Sequence, residues 1–431
     1  MATKECDPMQ AKGLKLAAYI DKYLALWDFY GVIQVIEKGE VLFENAYGYA
    51  SIEFEIRNQM NSCFSLASIS KQFTAFAILL LHEKQVLDID QGAHLYLPAE
   101  LKIDESITVH HLLSHTSGLA NFYNFEGDFF ADYNRKDYSR SDFFLMYFRN
   151  ELAYPPGTTF NYNNANYNLL AWMIEHVSGE KYEDYVRNHI FLPLGMTNSV
   201  VDDGSKLIKN KSSNYVQDCD AFIKSPYHNE KFSVGAGAIA SNCDNLYKWY
   251  ICLRDRKILS PRSYARLFEE NHNNYCYGLE HHVVYGTNTY THGGDHLGVS
   301  TYMQNYFDED ICIIILSNNT AIDQYRLGKA ISDILHHVDV DVPAKLEEYP
   351  IDNSKLQDYC GVYLKDKIEV KCMNGKLYFV RFKANLHIEV YPVGKDSFAR
   401  RYSDTTQPYR ITQNEKGERT FFGFAKRNVE L

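Results

Sequence analysis

Ile311 to Ser317 (ICIIILS) is apolar at every position but the last. Successive side chains of a strand point to opposite faces, so a strand apolar on both belongs inside a sheet covered on both sides. Partner strands must then flank it, and helices must cover the two faces. Gly31 to Glu37 (GVIQVIE) and Val41 to Tyr47 offer a hairpin turning at Lys38-Gly39-Glu40, and Thr301 to Tyr306 reads as a further strand. Lys71 to His82 is crowded with apolar residues and predicts a buried helix. Tyr167 to Val177 (YNLLAWMIEHV) repeats apolar positions at helical spacing and stops at Ser178-Gly179. Early strands, a helical middle and late strands predict an α+β domain whose sheet is assembled from both ends of the segment.

The pattern changes after His337. Residues 338–355 carry Pro343, Pro350 and several acidic residues, and read as a linker. Beyond them, Tyr359 to Leu364, Ile368 to Lys371, Lys376 to Val380, His387 to Tyr391, Tyr409 to Thr412 and Thr420 to Phe424 are candidate strands. Asn374-Gly375 is a strong two-residue hairpin signal, because both positions tolerate positive φ. The chain therefore divides into a main domain (15–337), a linker (338–355) and a small antiparallel β-barrel-like domain (356–431) that closes its edges on itself. At roughly 150 residues per domain, the length of 431 allows two or three.

Charge narrows the function. Lys+Arg 44 against Asp+Glu 55 leaves −11, which repels nucleic-acid phosphates. The longest strongly apolar run, Ala75 to Leu81, falls far short of the ~20 residues that cross a bilayer. The opening residues lack an apolar signal region, and the nine cysteines are scattered without a CxxC. These features favour a reducing, cytoplasmic setting if the numbered N-terminus is native, and a periplasmic or secreted one if an export segment was removed. Neither a nucleic acid nor a membrane is an expected partner. A soluble enzyme or ligand binder of small molecules or short peptides remains.

Several chemical signatures are weak. Gly235 to Ala240 matches GxGxxA without the surrounding βαβ pattern that dinucleotide binding requires. His110-His111 and His281-His282 lack further ligands at metal spacing, so no metal or other cofactor is expected. Ser68-Ile69-Ser70-Lys71 says more. Serine and lysine three apart share one helix face, and a lysine shielded from water can accept a hydroxyl proton. Ser178 to Lys181 also fits SxxK, in a helix-ending turn, so the spacing alone is not specific. Tyr162-Asn163-Asn164 follows a Pro-Pro-Gly stretch; a tyrosine can relay protons and an amide can orient a carbonyl. Thr291-His292-Gly293-Gly294-Asp295 precedes the late strands, and its glycines would let a substrate backbone approach a sheet edge.

In this order the three elements resemble the penicillin-recognising serine hydrolases: class C β-lactamases, D-alanyl-D-alanine carboxypeptidases, D-aminopeptidases and related esterases. That family carries SxxK, YxN and a third K/H-x-G motif, here Ser68–Lys71, Tyr162–Asn164 and His292–Gly294. Phe64 to Ala75, Ile107 to Leu119 (ITVHHLLSHTSGL), Pro156 to Gly179 and Pro193 to Thr197 extend the likeness. The resemblance implies a β-lactamase/transpeptidase-like fold, an antiparallel sheet flanked by helices plus an all-helical region. It implies Ser68 as the nucleophile that forms an acyl-enzyme, with Lys71 and Tyr162 sharing its proton and then activating water. Asn164 would hold the acyl-side amide, and His292, Gly293, Gly294 and Asp295 would border the substrate. The backbone N–H groups of Ser68 and Asp295 would form the oxyanion hole.

Histidine at the third motif, where carboxylate-binding relatives often have lysine, implies a weaker grip on penicillins and terminal D-alanine. It resembles the D-aminopeptidases, and Tyr359 to Tyr363 looks like the opening of a lipocalin-like domain attached to many relatives. Asp295 is expected to place a carboxylate near the acyl pocket, where it would pair with a substrate amine. The reading is a serine hydrolase of amides or esters, its first substrate class being small peptides or amides of D-amino-acid type. A true β-lactamase, a carboxylesterase and a non-catalytic sensor or assembly module are the alternatives.

Overall fold

The structure, a computed structural model, describes residues 8–120, 139, 142, 151–363, 368–381, 386–405, 407–413 and 419–422. Its main sheet takes strands from both ends of the first segment: β1 (Gly31–Glu37), β2 (Glu40–Tyr47), β3 (Glu280–Val284), β4 (Thr287–His296), β5 (Val299–Tyr306) and β6 (Ile311–Ser317). Their order is β3-β4-β5-β6-β1-β2, antiparallel throughout. Strand β6 lies inside the sheet, paired to β1 from Gly31↔Ser317 to Glu37↔Ile311. All seven of its residues are buried, as its composition requires. The Lys38-Gly39 turn has positive φ at both residues (52° and 80°), which suits a tight hairpin.

The two faces of β6 feed two cores. Ile311, Ile313 and Ile315 pack with α1 (Pro8–Leu24) and the helix Gln324–Leu335. Cys312, Ile314 and Leu316 face a larger cluster built on α2 (Ser70–Glu83), α3 (Asn164–Ser178) and α4 (Cys243–Arg254). We label the helix Gln324–Leu335 α5. Helix α2 is buried at every position from Ser70 to Leu81, which explains its lack of a polar stripe. Helix α3 starts where the Asn163 side chain accepts the Ala165 N–H and stops at Gly179, whose φ is 72°. The second SxxK spans that stop, with Ser178 Oγ accepting the Glu180 N–H at the helix end.

Residues 338–352 run without helix or strand. Seven antiparallel strands follow, Gly361–Tyr363, Ile368–Met373, Lys376–Arg381, Leu386–Gly394, Ser397–Arg400, Tyr409–Gln413 and Arg419–Phe422. The first and last come together, so the sheet is nearly closed into a barrel around Phe379, Phe398 and Phe421. Asn374 and Gly375 both take positive φ in the expected hairpin. Ser397–Arg400 is a further strand, absent from the sequence expectation. The expected strand ends at Leu364 and at 423–424 lie outside the described residues. Asp404 ties the barrel to the main body: it accepts from Tyr23 Oη at 2.5 Å and Arg326 Nη1 at 3.0 Å, and its N–H donates to Ala321 O. Among the described residues, no helix is long and apolar enough to cross a membrane.

Candidate active site

Ser68 sits in a short 3-10 turn, Ala67–Ile69, that runs directly into α2. Ala67 holds φ at 48°, a left-handed conformation that costs a residue with a Cβ about 1 kcal/mol or more. The turn is held in place from several sides. Leu66 N–H donates to Ile239 O, Leu66 O accepts from Thr301 Oγ1 at 2.8 Å, and Ser70 Oγ accepts the Ile239 N–H at 3.0 Å. Ser68 itself stays half-buried and reachable.

One turn further on, Lys71 is fully buried. Its Nζ donates to Ser68 Oγ at 3.0 Å and to Ala236 O at 2.8 Å, both neutral acceptors. Burial without a carboxylate partner holds its pKa well below the usual 10.5. An amine that readily gives up its proton, hydrogen-bonded to a hydroxyl, is suited to accept the proton of that hydroxyl. The Gly235–Ala240 stretch therefore has a local task, holding the Lys71 amine through the Ala236 carbonyl. A Cβ on Gly235 would sit 2.1 Å from Tyr167 O, and this close packing against α3 aims the Ala236 carbonyl at Lys71.

Tyr162 comes to the same point from the loop before α3. Lys71 Nζ lies 4.8 Å from the centre of its ring, and the His115 ring packs 4.3 Å away. His115 is buried and its Nδ1 accepts the Asn163 N–H at 3.1 Å, so the imidazole is neutral and fixes the backbone beside Tyr162. The two asparagines divide their tasks. Asn163 caps α3 and donates to Leu119 O, whereas Asn164 is half-buried and its side chain makes no hydrogen bond among the described residues.

Strand β4 supplies the far wall. It pairs with β3 only as far as Glu280↔Thr291, while its pairing with β5 continues to His296↔Val299. From His292 onward one backbone edge of β4 is thus unpaired by β3, and it abuts the Ser68 turn. A Cβ on Gly294 would lie 2.2 Å from Leu66 O and 3.1 Å from the Ala67 Cβ. His292 faces the same side, 2% exposed, with its ring 6.2 Å from that of Tyr162. Its Nδ1 lies 2.7 Å from Gly293 O and its Nε2 3.3 Å from Tyr275 Oη. With Nδ1–H donating to the carbonyl and the buried Tyr275 phenol donating to Nε2, both ring nitrogens are engaged. Burial pushes its pKa down to about 4, so the ring is neutral near pH 7.

Asp295 departs from its expected place. Side chains alternate along β4: Gly293 faces Tyr325 on α5, Gly294 faces the Ser68 turn, and Asp295 again faces α5. There its Oδ1 accepts from Gln324 Nε2 at 3.0 Å. The carboxylate is therefore on the α5 side of β4, opposite the face that Gly294 turns to the Ser68 turn. Three contributors escaped sequence reasoning. His115 lies inside the Ile107–Leu119 stretch but carries no signal of its packing, Tyr275 is one tyrosine among 34, and the Ala236 carbonyl has no residue identity to read.

The two motif glycines give a sharp contrast. Gly294→Ala drives a Cβ into a fixed backbone carbonyl and the Thr301 hydroxyl (2.4 Å). It is expected to destabilise the protein by about 2–4 kcal/mol and to displace the Ser68 turn. Gly293→Ala meets Tyr325 Oη at 2.0 Å, the far end of a movable side chain, and is expected to cost less than half as much. Thermal melts of both variants check the order.

A family described as Beta-lactamase matches residues 16–336. A penicillin-binding protein of Bacillus subtilis (strain 168) is 29% identical over 401 residues, which cover 86% of this chain and 87% of that protein. Among solved structures, an octameric penicillin-binding protein homologue from Pyrococcus abyssi superposes with a TM-score of 0.65 at 21% identity, covering 94% of both chains. A D-stereospecific amidohydrolase from Streptomyces sp. gives 0.63 at 21% identity, over 75% of this chain and 98% of its own. The family match takes in the whole main sheet and every element around Ser68 and Lys71, and on that ground the chain belongs to the Beta-lactamase family, most of whose members are serine hydrolases.

Proposed function

We propose that this chain hydrolyses an amide or ester through an acyl-enzyme on Ser68, with small peptides or amides of D-amino-acid type as substrates. The observation that carries the reading is the 3.0 Å contact between Ser68 Oγ and the fully buried, charge-disfavoured Lys71 amine. In the forward step the Ser68 hydroxyl proton passes to the Lys71 and Tyr162 pair as Oγ attacks the substrate carbonyl carbon. The oxyanion forms against the backbone N–H groups of Ser68 and Asp295, at the junction of the 3-10 turn and the open edge of β4. The leaving amine or alcohol takes the proton, and the ester on Ser68 remains. Water, deprotonated by the same pair, then releases the acid and regenerates the hydroxyl. Asn164 holds the acyl-side amide.

The engagement of both His292 nitrogens supports a substrate that needs no grip on a carboxylate from this position. Similarity to a D-stereospecific amidohydrolase supports D-amino-acid amides as the first class to test. The test is kcat/KM for matched D- and L-phenylalanine amides, D-alanyl peptides and a chromogenic cephalosporin. A preference for the D-amide by at least about tenfold, corresponding to ~1.4 kcal/mol of differential transition-state binding, is expected. An L preference, or cephalosporin turnover that exceeds both amides, overturns the substrate assignment and, in the second case, makes the enzyme a β-lactamase.

A further inference from the structure

A second cluster of reactive side chains lies where the main domain meets the barrel. A β-hairpin, Tyr215–Asp218 with Ala221–Lys224, seats its tip against the barrel strand Leu386–Gly394. Cys219 forms a parallel bridge with Ile388, and its N–H donates to His387 O at 2.7 Å. In return the His387 N–H donates to Asp218 Oδ1 at 2.7 Å. The ligand atoms of Asp218, Cys219 and His387, a carboxylate oxygen, a sulfur and a ring nitrogen, all lie within 4.8 Å of one another. Neighbours in an extended strand point to opposite faces, so Asp218 and Cys219 converge only because the turn bends between them. Cys219 takes a left-handed φ of 54° there, at a place where glycine or asparagine would be unstrained.

We propose that Asp218, Cys219 and His387 form a zinc site that staples the Tyr215–Lys224 hairpin to the barrel. Mixed sulfur, nitrogen and oxygen donors suit Zn(II) and disfavour Mg(II) or Ca(II), which select oxygen alone. Metal bonds of ~2.0–2.3 Å place tetrahedral ligands roughly 3.3–3.8 Å apart, so the cluster needs to tighten by about 1 Å. Zinc takes the place of the Cys219 thiol proton, which leaves to solvent, and His387 binds through a neutral ring nitrogen. Asp218 Oδ1 is oriented by the His387 N–H at 2.7 Å and also lies 3.3 Å from His387 Nδ1, a contact that the ion replaces if it binds through that oxygen and nitrogen. Solvent or a further ligand completes the fourth position. The base of the hairpin reaches the turn after β4, where Gly298 packs against the Tyr215 backbone. A zinc at the tip therefore stiffens the join between the barrel and the strand that carries His292.

The test uses the full chain, reduced and stripped with a chelator, titrated with Zn(II) in competition with a chromogenic chelator. Co(II) serves as a spectroscopic substitute. One equivalent per chain is expected, with a thiolate-to-cobalt charge-transfer band and a higher melting temperature in the metal-loaded protein. Cys219→Ser and His387→Gln should each weaken binding by more than about tenfold, and Cys219→Ser should abolish the band. Cys372→Ser, on the strand Ile368–Met373 and outside the cluster, should change neither. Melts of the stripped variants show that each is folded, and either variant alone suffices for the comparison. Zinc binding unchanged in both variants, a band that survives Cys219→Ser, or no stoichiometric binding by the wild-type chain overturns the proposal.

Discussion

Replacing Ser68 with alanine is expected to lower kcat for amides and esters by roughly 10⁴–10⁶-fold, the range seen when a nucleophile is removed from a preorganised site. The same change should move the melting temperature by only a few degrees. Ser68 is half-buried, and the hydrogen bond its side chain makes is the one it accepts from Lys71. Lys71 keeps its bond to Ala236 O, and the 3-10 turn keeps the backbone and Thr301 bonds that hold it. Losing one such bond costs about 1 kcal/mol. Single-turnover rates and thermal melts on the same preparation separate the two effects. A Ser68→Ala protein that retains activity within tenfold of wild type would mean that another group attacks the substrate.

Lys71→Met should couple a large loss of activity to a gain in stability. General acid–base groups contribute about 10²–10⁴-fold, and Met cannot accept a proton. Stability moves the other way because the amine is fully buried and, among the described residues, its hydrogen-bond partners are a neutral hydroxyl and a carbonyl, with the Tyr162 and Tyr167 rings beside it. Every tenfold by which burial disfavours the charged form amounts to about 1.4 kcal/mol that an apolar side chain of similar length does not lose. The sign with pH follows from proton binding. The folded-state pKa of Lys71 is depressed below its ordinary 10.5, so between those two values the unfolded chain binds more protons than the folded one. Wild-type stability therefore rises with pH through that window, and the advantage of Lys71→Met is largest at low pH and narrows as pH approaches 10.5. Urea unfolding of both proteins from pH 6 to pH 9 reads this directly. A variant less stable at every pH, with a constant gap, would show Lys71 to be a structural cation instead.

Local pattern carried much of the fold. Ile311–Ser317 had to lie within a sheet, and Gly31–Glu37 had the apolar content to pair beside it, as it does residue for residue. Asn374-Gly375 announced its hairpin because turn chemistry is local. The candidate site was legible only where chemistry resides in residue identity. Ser68, Lys71, Tyr162, Asn164 and His292 could be read from three short motifs, and the fold places Ser68, Lys71, Tyr162 and His292 around one point. What the motifs could not convey is direction. Which face of β4 Asp295 occupies depends on strand parity against the Ser68 turn, and the carboxylate turned out to point at Gln324. Whether His292 offers a hydrogen bond to substrate depends on Tyr275, which no spacing links to it. The Lys71 amine donates to a backbone carbonyl on a glycine-alanine stretch whose pattern resembles a cofactor fingerprint, a contact that no residue identity announces.

The proposed mechanism passes through a covalent intermediate on one serine. Its most direct test is an intact-mass time course of the wild-type chain mixed with a p-nitrophenyl ester and quenched in acid, followed by peptide mapping of any adduct. The proposed mechanism predicts a burst of about one p-nitrophenol per chain, a mass increase of one acyl group within the burst, and localisation of that group to Ser68. Steady turnover with no mass increase, or an acyl group on any other residue, would contradict it.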